Sequence, residues 1–187
     1  MSIQYTQIVK TLPSSVPFVG PEAQERRLGK NFEARIGANE SVFGPSPKAV
    51  LAMTDEIGQA WKYGDPESFD LKHALAKKHN VAFENIIVGE GIDGLLGYLV
   101  RLFIEQGDNV VTTDGAYPTF NYHVEGFGGQ LHKVPFKDDT EDLNNLLNKV
   151  RETKAKMLYV SNPNNPMGTL NSVNDINNLI EYLPTET

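Results

Sequence analysis

The chain has 187 residues, 40% hydrophobic and 22% charged, a composition that suits a folded globular protein and excludes a disordered one. A formal net charge of -7 leaves no footprint for nucleic acid, since the densest basic stretches, Arg26-Arg27 and Lys77-Lys78, are only pairs. Cysteine is absent, which excludes a disulfide scaffold and any thiolate metal site, and His73, His79, His123 and His132 are not spaced as ligands, so no metal is expected. Met1 to Lys10 lacks the basic and apolar regions of a leader, and no apolar run reaches membrane-spanning length; a cytoplasmic protein without a membrane partner is expected.

In chain order, the Pro- and Gly-rich first forty residues predict an extended arm, a short helix and a short strand over Phe32 to Gly37. Ser46-Pro47 supplies a cap and an N1 proline for a helix over Lys48 to Ala60, with Val50, Leu51, Ile57 and Trp61 on one face. Glu67 to Asn80 reads as the next helix and Asn85 to Val88 as a short apolar strand. A helix follows over Asp93 to Gln106, its broad apolar face formed by Leu95, Leu96, Leu99, Leu102 and Phe103. Strands are then expected at Asn109–Thr113, Gln130–Pro135 and Met157–Ser161, alternating with helices over Tyr117–Phe127, Asp139–Glu152 and Asp175–Leu183. Such alternation implies an α/β fold with a mainly parallel sheet sandwiched by helices. Leu183-Pro184 closes a helix where another strand is due, so the fold is expected to be truncated at Thr187.

The most chemical segment is Val88-Gly89-Glu90-Gly91-Ile92-Asp93-Gly94, which leaves a strand and opens a helix. Glycines allow close backbone approach, and a helix N-terminus offers unpaired N–H groups and a favourable dipole, so a phosphate is the natural guest. Three readings stand side by side. The triple glycine, with Asp114 at the end of the next strand, matches a dinucleotide fingerprint; the turn equally suits another phosphate ligand, or no ligand at all.

Other segments carry a resemblance. Asn39-Glu40 with Gly44-Pro45-Ser46-Pro47, then Trp61-Lys62-Tyr63-Gly64-Asp65-Pro66, the Gly91-Ile92-Asp93 turn, Ala116-Tyr117-Pro118-Thr119-Phe120, and Ser161-Asn162-Pro163-Asn164-Asn165-Pro166-Met167-Gly168-Thr169 follow one another in the order seen in a known family. Together they resemble fold-type-I pyridoxal-phosphate (PLP) aminotransferases of the histidinol-phosphate type, in their N-terminal half. Val42-Phe43 and Met167 depart from the family pattern.

The resemblance implies roles. Gly91, Ile92 and Asp93 would cradle the cofactor phosphate through backbone N–H groups, Tyr117 would stack on the pyridine ring, and Asn165 would hydrogen-bond the phenolic oxygen. Tyr63 would reach the phosphate of a neighbouring subunit, implying a homodimer, and Asn39 would line the substrate pocket. Residues 1–43 would be an N-terminal arm and small-domain segment, and residues 44–187 the first half of the large cofactor-binding domain. The implied reaction moves an amino group between a small amino donor, an amino acid or amino-alcohol phosphate, and a 2-oxo acid, in the setting of amino-acid biosynthesis. The Schiff-base lysine is expected beyond Thr187, so no catalytic residue is assigned within the sequence, and the fragment alone is expected to be inactive. Two alternatives accompany this reading: another fold-type-I PLP enzyme, a decarboxylase or lyase, or a nonenzymatic nucleotide- or phosphate-binding remnant.

Overall fold

A computed structural model of the chain describes residues 4–12, 19–35, 37 and 40–187. They fall into two compact units, one made of the chain up to Phe18 together with Gly89–Thr187, the other of Val19–Val88.

The larger unit is built on three parallel strands, β1 (Asn109–Thr113), β2 (Gln130–Val134) and β3 (Met157–Tyr159), in the order β2-β1-β3. β1 is the middle strand: Val111 registers with His132 on one side and with Leu158 on the other. Successive side chains of a strand point to opposite faces, and here both faces are covered. Val110 packs with Leu96, Val100, Ile104, Phe120 and Val124, from helices α5 (Gly91–Phe103) and α6 (Pro118–Gly126) and the residue after α5. Val111 packs on the opposite side with Val134, Leu146, Val150 and Ala155, chiefly from α7 (Leu143–Thr153). This is the helix-covered parallel sheet that the alternating sequence predicts. Helix α8 (Val173–Tyr182) opens with a reciprocal capping box between Ser172 and Asp175. A short α1 (Gln7–Thr11) belongs to the same unit.

The smaller unit holds α2 (Pro21–Leu28), α3 (Pro47–Glu56) and α4 (Phe69–His79). Asp65 starts α4 by accepting the backbone N–H groups of Glu67 at 3.0 Å and Phe69 at 2.8 Å. These bonds to the charged form hold the Asp65 carboxyl below its ordinary range.

Several expectations are corrected. Ile86 is extended, but Ile86–Val88 joins no strand ladder among the described residues; a strand exists through pairing, and both edges of β1 are taken by β2 and β3. No strand forms over 32–35, and Ile36 lies outside the described residues. The helix expected from Asp139 begins at Leu143, because Asp138 and Asp139 take left-handed backbone (φ 51° and 57°) in a turn closed by Lys137 and Thr140. Val50, Leu51, Ile57 and Trp61, expected on one helical face, are exposed, as are Leu99, Leu102 and Phe103 on α5. No helix among the described residues is long and apolar enough to cross a membrane.

Leu146 is fully buried under the sheet, so its truncation removes transfer free energy and leaves a cavity. Leu146→Ala is predicted to lower stability by about 2–5 kcal/mol, read as a shift of the urea midpoint at unchanged slope.

Candidate cofactor-binding site

The connections that follow β1, β2 and β3 all leave the carboxyl end of the sheet, where open α/β sheets place ligands. The first turn of α5 and these connections carry five of the sequence-predicted residues, Gly91, Ile92, Asp93, Tyr117 and Asn165.

Gly91 has φ +75°, a conformation that side chains with a Cβ rarely take, and its N–H donates to the Gly89 carbonyl at 2.8 Å to close the turn. Glu90, the N-cap, makes no side-chain capping bond, so the first N–H groups of α5 are not satisfied from that side. Its carboxylate is held instead by the Tyr98 hydroxyl at 3.1 Å, and Gly94 leaves the room: a Cβ there would lie 3.0 Å from Glu90 Oε2. The second acid of the turn is held in the same manner, for the Tyr117 hydroxyl donates to Asp93 Oδ1 at 2.5 Å. Both carboxylates are thus engaged by phenols, and backbone N–H groups are what the turn has to offer an anion.

Tyr117 is the N-cap of α6, directly before Pro118 at N1, so the start of that helix fixes where its ring sits. Its bond to the Asp93 carboxylate pushes the phenol above its ordinary value of 10, because the phenolate would face a negative charge. A second contact from α6 clamps the same residue, as His123 Nε2 lies 3.0 Å from the Asp93 carbonyl oxygen. Gly97 makes this possible: a Cβ at that position would lie 2.9 Å from the His123 ring.

Asn165 is half-buried in the turn after β3, in which the Asn162-Pro163 and Asn165-Pro166 peptide bonds are both cis. The neighbouring Asn164 is buried and donates from Nδ2 to Glu141 Oε1 at 2.7 Å. The structure therefore brings Asp93 and Tyr117 into direct contact, with Gly91 and Ile92 on the same turn, and puts Asn165 at the same end of the sheet. Tyr63 lies in the smaller unit with its side chain fully exposed, and Asn39 lies outside the described residues.

Three residues of this region, Glu141, Asn164 and His123, escape a reading of the sequence. Glu141 sits in the acidic run Asp138-Asp139-Thr140-Glu141-Asp142, at the start of the helix expected over Asp139–Glu152. Nothing local distinguishes it, since its partners lie twenty or more residues away. For His123, the one available signal is Gly97, a glycine inside a helix that would otherwise disfavour it.

The dinucleotide arrangement does not form. It requires the strand before the glycine turn to neighbour the strand that ends at Asp114, whereas β1 is flanked by β2 and β3. The sequence pattern of aminotransferase class I and II, in contrast, matches residues 34–185. The chain belongs to this aminotransferase family. It is 30% identical over 176 residues to a histidinol-phosphate aminotransferase from Desulfotalea psychrophila, covering 94% of this chain and 45% of that protein. The crystal structure of histidinol-phosphate aminotransferase from Sinorhizobium meliloti, in complex with pyridoxal-5'-phosphate, matches all of this chain and 50% of its own at 49% identity and a TM-score of 0.93. An aspartate aminotransferase from Rhizobium meliloti, at 20% identity and a TM-score of 0.75, shares the fold, with 97% of this chain and 48% of that one matched. The chain thus spans about half the length of the aminotransferases it matches.

The phenol–carboxylate pair has a measurable signature. With seven tyrosines in the chain, the Tyr117→Phe difference isolates one phenol, and ultraviolet difference titration of the apoprotein is predicted to find it above the ordinary value. In Asp93→Asn the same phenol is predicted to titrate lower, because the phenolate no longer faces a carboxylate; an unchanged titration would show that the pair is not formed.

Proposed function

We propose that the intact protein is a PLP-dependent aminotransferase that moves an amino group between an amino acid or amino-alcohol phosphate and a 2-oxo acid. The observation that carries the reading is the Tyr117–Asp93 contact, which brings an aromatic ring beside the uncapped first turn of α5. A phosphate at that turn and a flat ring against Tyr117 are the two demands PLP makes, and these residues fit them. Likeness to a histidinol-phosphate aminotransferase at 49% identity supports an amino-alcohol phosphate as the donor.

When bound, PLP supplies the electron sink for charge that develops at the substrate's α-carbon. This chain's residues bind and orient it. The N–H groups of Gly91, Ile92 and Asp93 take the phosphate, Tyr117 presents its face to the pyridine ring, and the Asn165 amide donates to the phenolic oxygen. Asn39 belongs to the substrate pocket. The lysine that holds PLP and shuttles the proton, with the acid that keeps the pyridine nitrogen protonated, would come from the part of the protein that follows this chain. Residues 44–187 would then be the first half of the large domain, with 1–43 contributing the arm and a small-domain segment.

A homodimer belongs to the same proposal, Tyr63 reaching the partner's cofactor. Val50, Leu51, Met53, Ile57 and Trp61, large apolar residues on and after α3 that are each exposed, support it, since clustered exposed apolar residues mark an interface. Cytoplasmic placement, with which the lack of cysteine is compatible, is part of the reading as well.

The test uses the full-length protein, loaded with PLP and given an amino-alcohol phosphate or an amino acid with a 2-oxo acid. Amino transfer is expected, and Asn165→Ala is expected to lower kcat/KM by about 10–100-fold, the worth of one hydrogen bond to a charged group. A loaded protein that binds PLP yet transfers no amino group from any donor of these classes contradicts the proposal.

A further inference from the structure

Glu141 is a carboxyl that the binding scheme above does not use, and it is 4% exposed. Capping does not explain it, because the next residue, Asp142, caps α7 by accepting the Asn145 N–H at 3.1 Å. Burying a carboxyl is costly unless its oxygens find partners, so its partners indicate what it is for.

Those partners lie on the turn that follows β3. Oε1 accepts from Asn164 Nδ2 at 2.7 Å and lies 3.4 Å from the Ser161 N–H. Asn164, 5% exposed, is committed at every polar group: its N–H donates to the Thr169 carbonyl, its carbonyl accepts from Gly168, both at 2.8 Å, and its Oδ1 accepts from Met167 at 3.1 Å. Thr169 adds a second tie, its hydroxyl donating to the Asp139 carbonyl at 3.2 Å. Glu141 follows β2 and Asn164 follows β3, the two strands that flank β1, so the bond joining them passes over the carboxyl end of β1. Thr113, the last residue of β1, is fully buried there and faces the same carboxyl. Thr113 Oγ1 and Glu141 Oε2 are both buried without a well-formed bond among the described residues. Burial pushes the Glu141 carboxyl above its ordinary value of 4.5, while Asn164, Ser161 and Thr113 pull it back. A leucine-sized apolar side chain would fill the space without that cost, so what the carboxyl adds is a fixed geometry.

We propose that Glu141 is a positioning residue which, by holding Asn164 from within the protein, sets the place of the adjacent Asn165 amide at the cofactor's phenolic oxygen. The inference rests on the role given to Asn165 under the proposed function. An N–H donated to the phenolic oxygen weakens that oxygen's hold on the neighbouring proton of bound PLP, so loss or misplacement of the donor raises the pH at which the visible absorption band titrates.

The experiment is a pH titration of that band in the full-length holoenzyme, with PLP affinity measured in parallel by fluorescence quenching. Asn165→Ala is the benchmark and is expected to raise the midpoint. Glu141→Leu, which keeps the packing and loses both oxygens, is expected to raise it by about 0.5–1 pH unit, the equivalent of one weakened hydrogen bond. Glu141→Gln, whose amide oxygen still accepts from Asn164 and whose NH2 can donate to Thr113, is expected to titrate as the unsubstituted protein does. If Glu141→Leu does not accumulate folded, Asn164→Ala, which removes the amide that Glu141 holds and adds no charge, replaces it with the same expected shift. A shift in Asn165→Ala with none in Glu141→Leu or its replacement overturns the inference alone. No shift in Asn165→Ala overturns the role of Asn165 and the inference with it.

Discussion

Strand β1 is the constraint on which the rest depends. Its four residues Val110–Thr113 are fully buried, its two edges are taken by β2 and β3 in parallel register, and its two faces carry the two hydrophobic clusters. Parallel strands on both edges of β1 make the connections that follow all three strands start at one end, because each partner must run in the same direction. The segments with chemistry follow from this: Ala116–Phe120 after β1, Lys137–Glu141 after β2 and Ser161–Thr169 after β3 all emerge together.

At that end the local chemistry consists of donors holding acids. The Tyr98 phenol holds Glu90, the Tyr117 phenol holds Asp93, and the Asn164 amide holds Glu141. Two of these carboxylates flank a helix N-terminus proposed to bind a phosphate, where a free acid would repel the ligand. Engaging their oxygens with hydroxyls directs them to a neutral partner and leaves the backbone N–H groups of α5 as the attractive element. The third spans the connections on either side of β1 and stiffens the turn that carries Asn165. Rigidity of this kind is what a cofactor site needs, since a binding geometry is only as good as the shell that supports it.

Much of this fold is legible in the sequence, and the failures share one physical cause. β1 lies where its β-branched run predicts, and β2 and α5 to α8 lie near their predicted spans, because period and turn chemistry are local properties. The Ile86–Val88 run has the composition of a strand, but strands are made by neighbours, and no described strand pairs with it. The late start of α7 hinges on two left-handed aspartates that composition does not reveal. For the site, the glycine turn and the Asn-Pro segment were legible as patterns, while the dinucleotide match was a coincidence of spacing that strand order removes. Glu141 is not legible, and His123 only through the glycine it packs on, since each acquires its meaning from a contact across the sheet or between two helices.

In the proposed site, the first turn of α5 and the ring of Tyr117 hold one cofactor at the carboxyl end of the sheet. A crystal structure of the full-length protein with PLP bound tests it most directly. The phosphate oxygens are expected at about 2.7–3.2 Å from the backbone nitrogens of the Gly91–Asp93 turn, with the pyridine ring against Tyr117. A phosphate held elsewhere, with that turn bonded only to solvent, would contradict it.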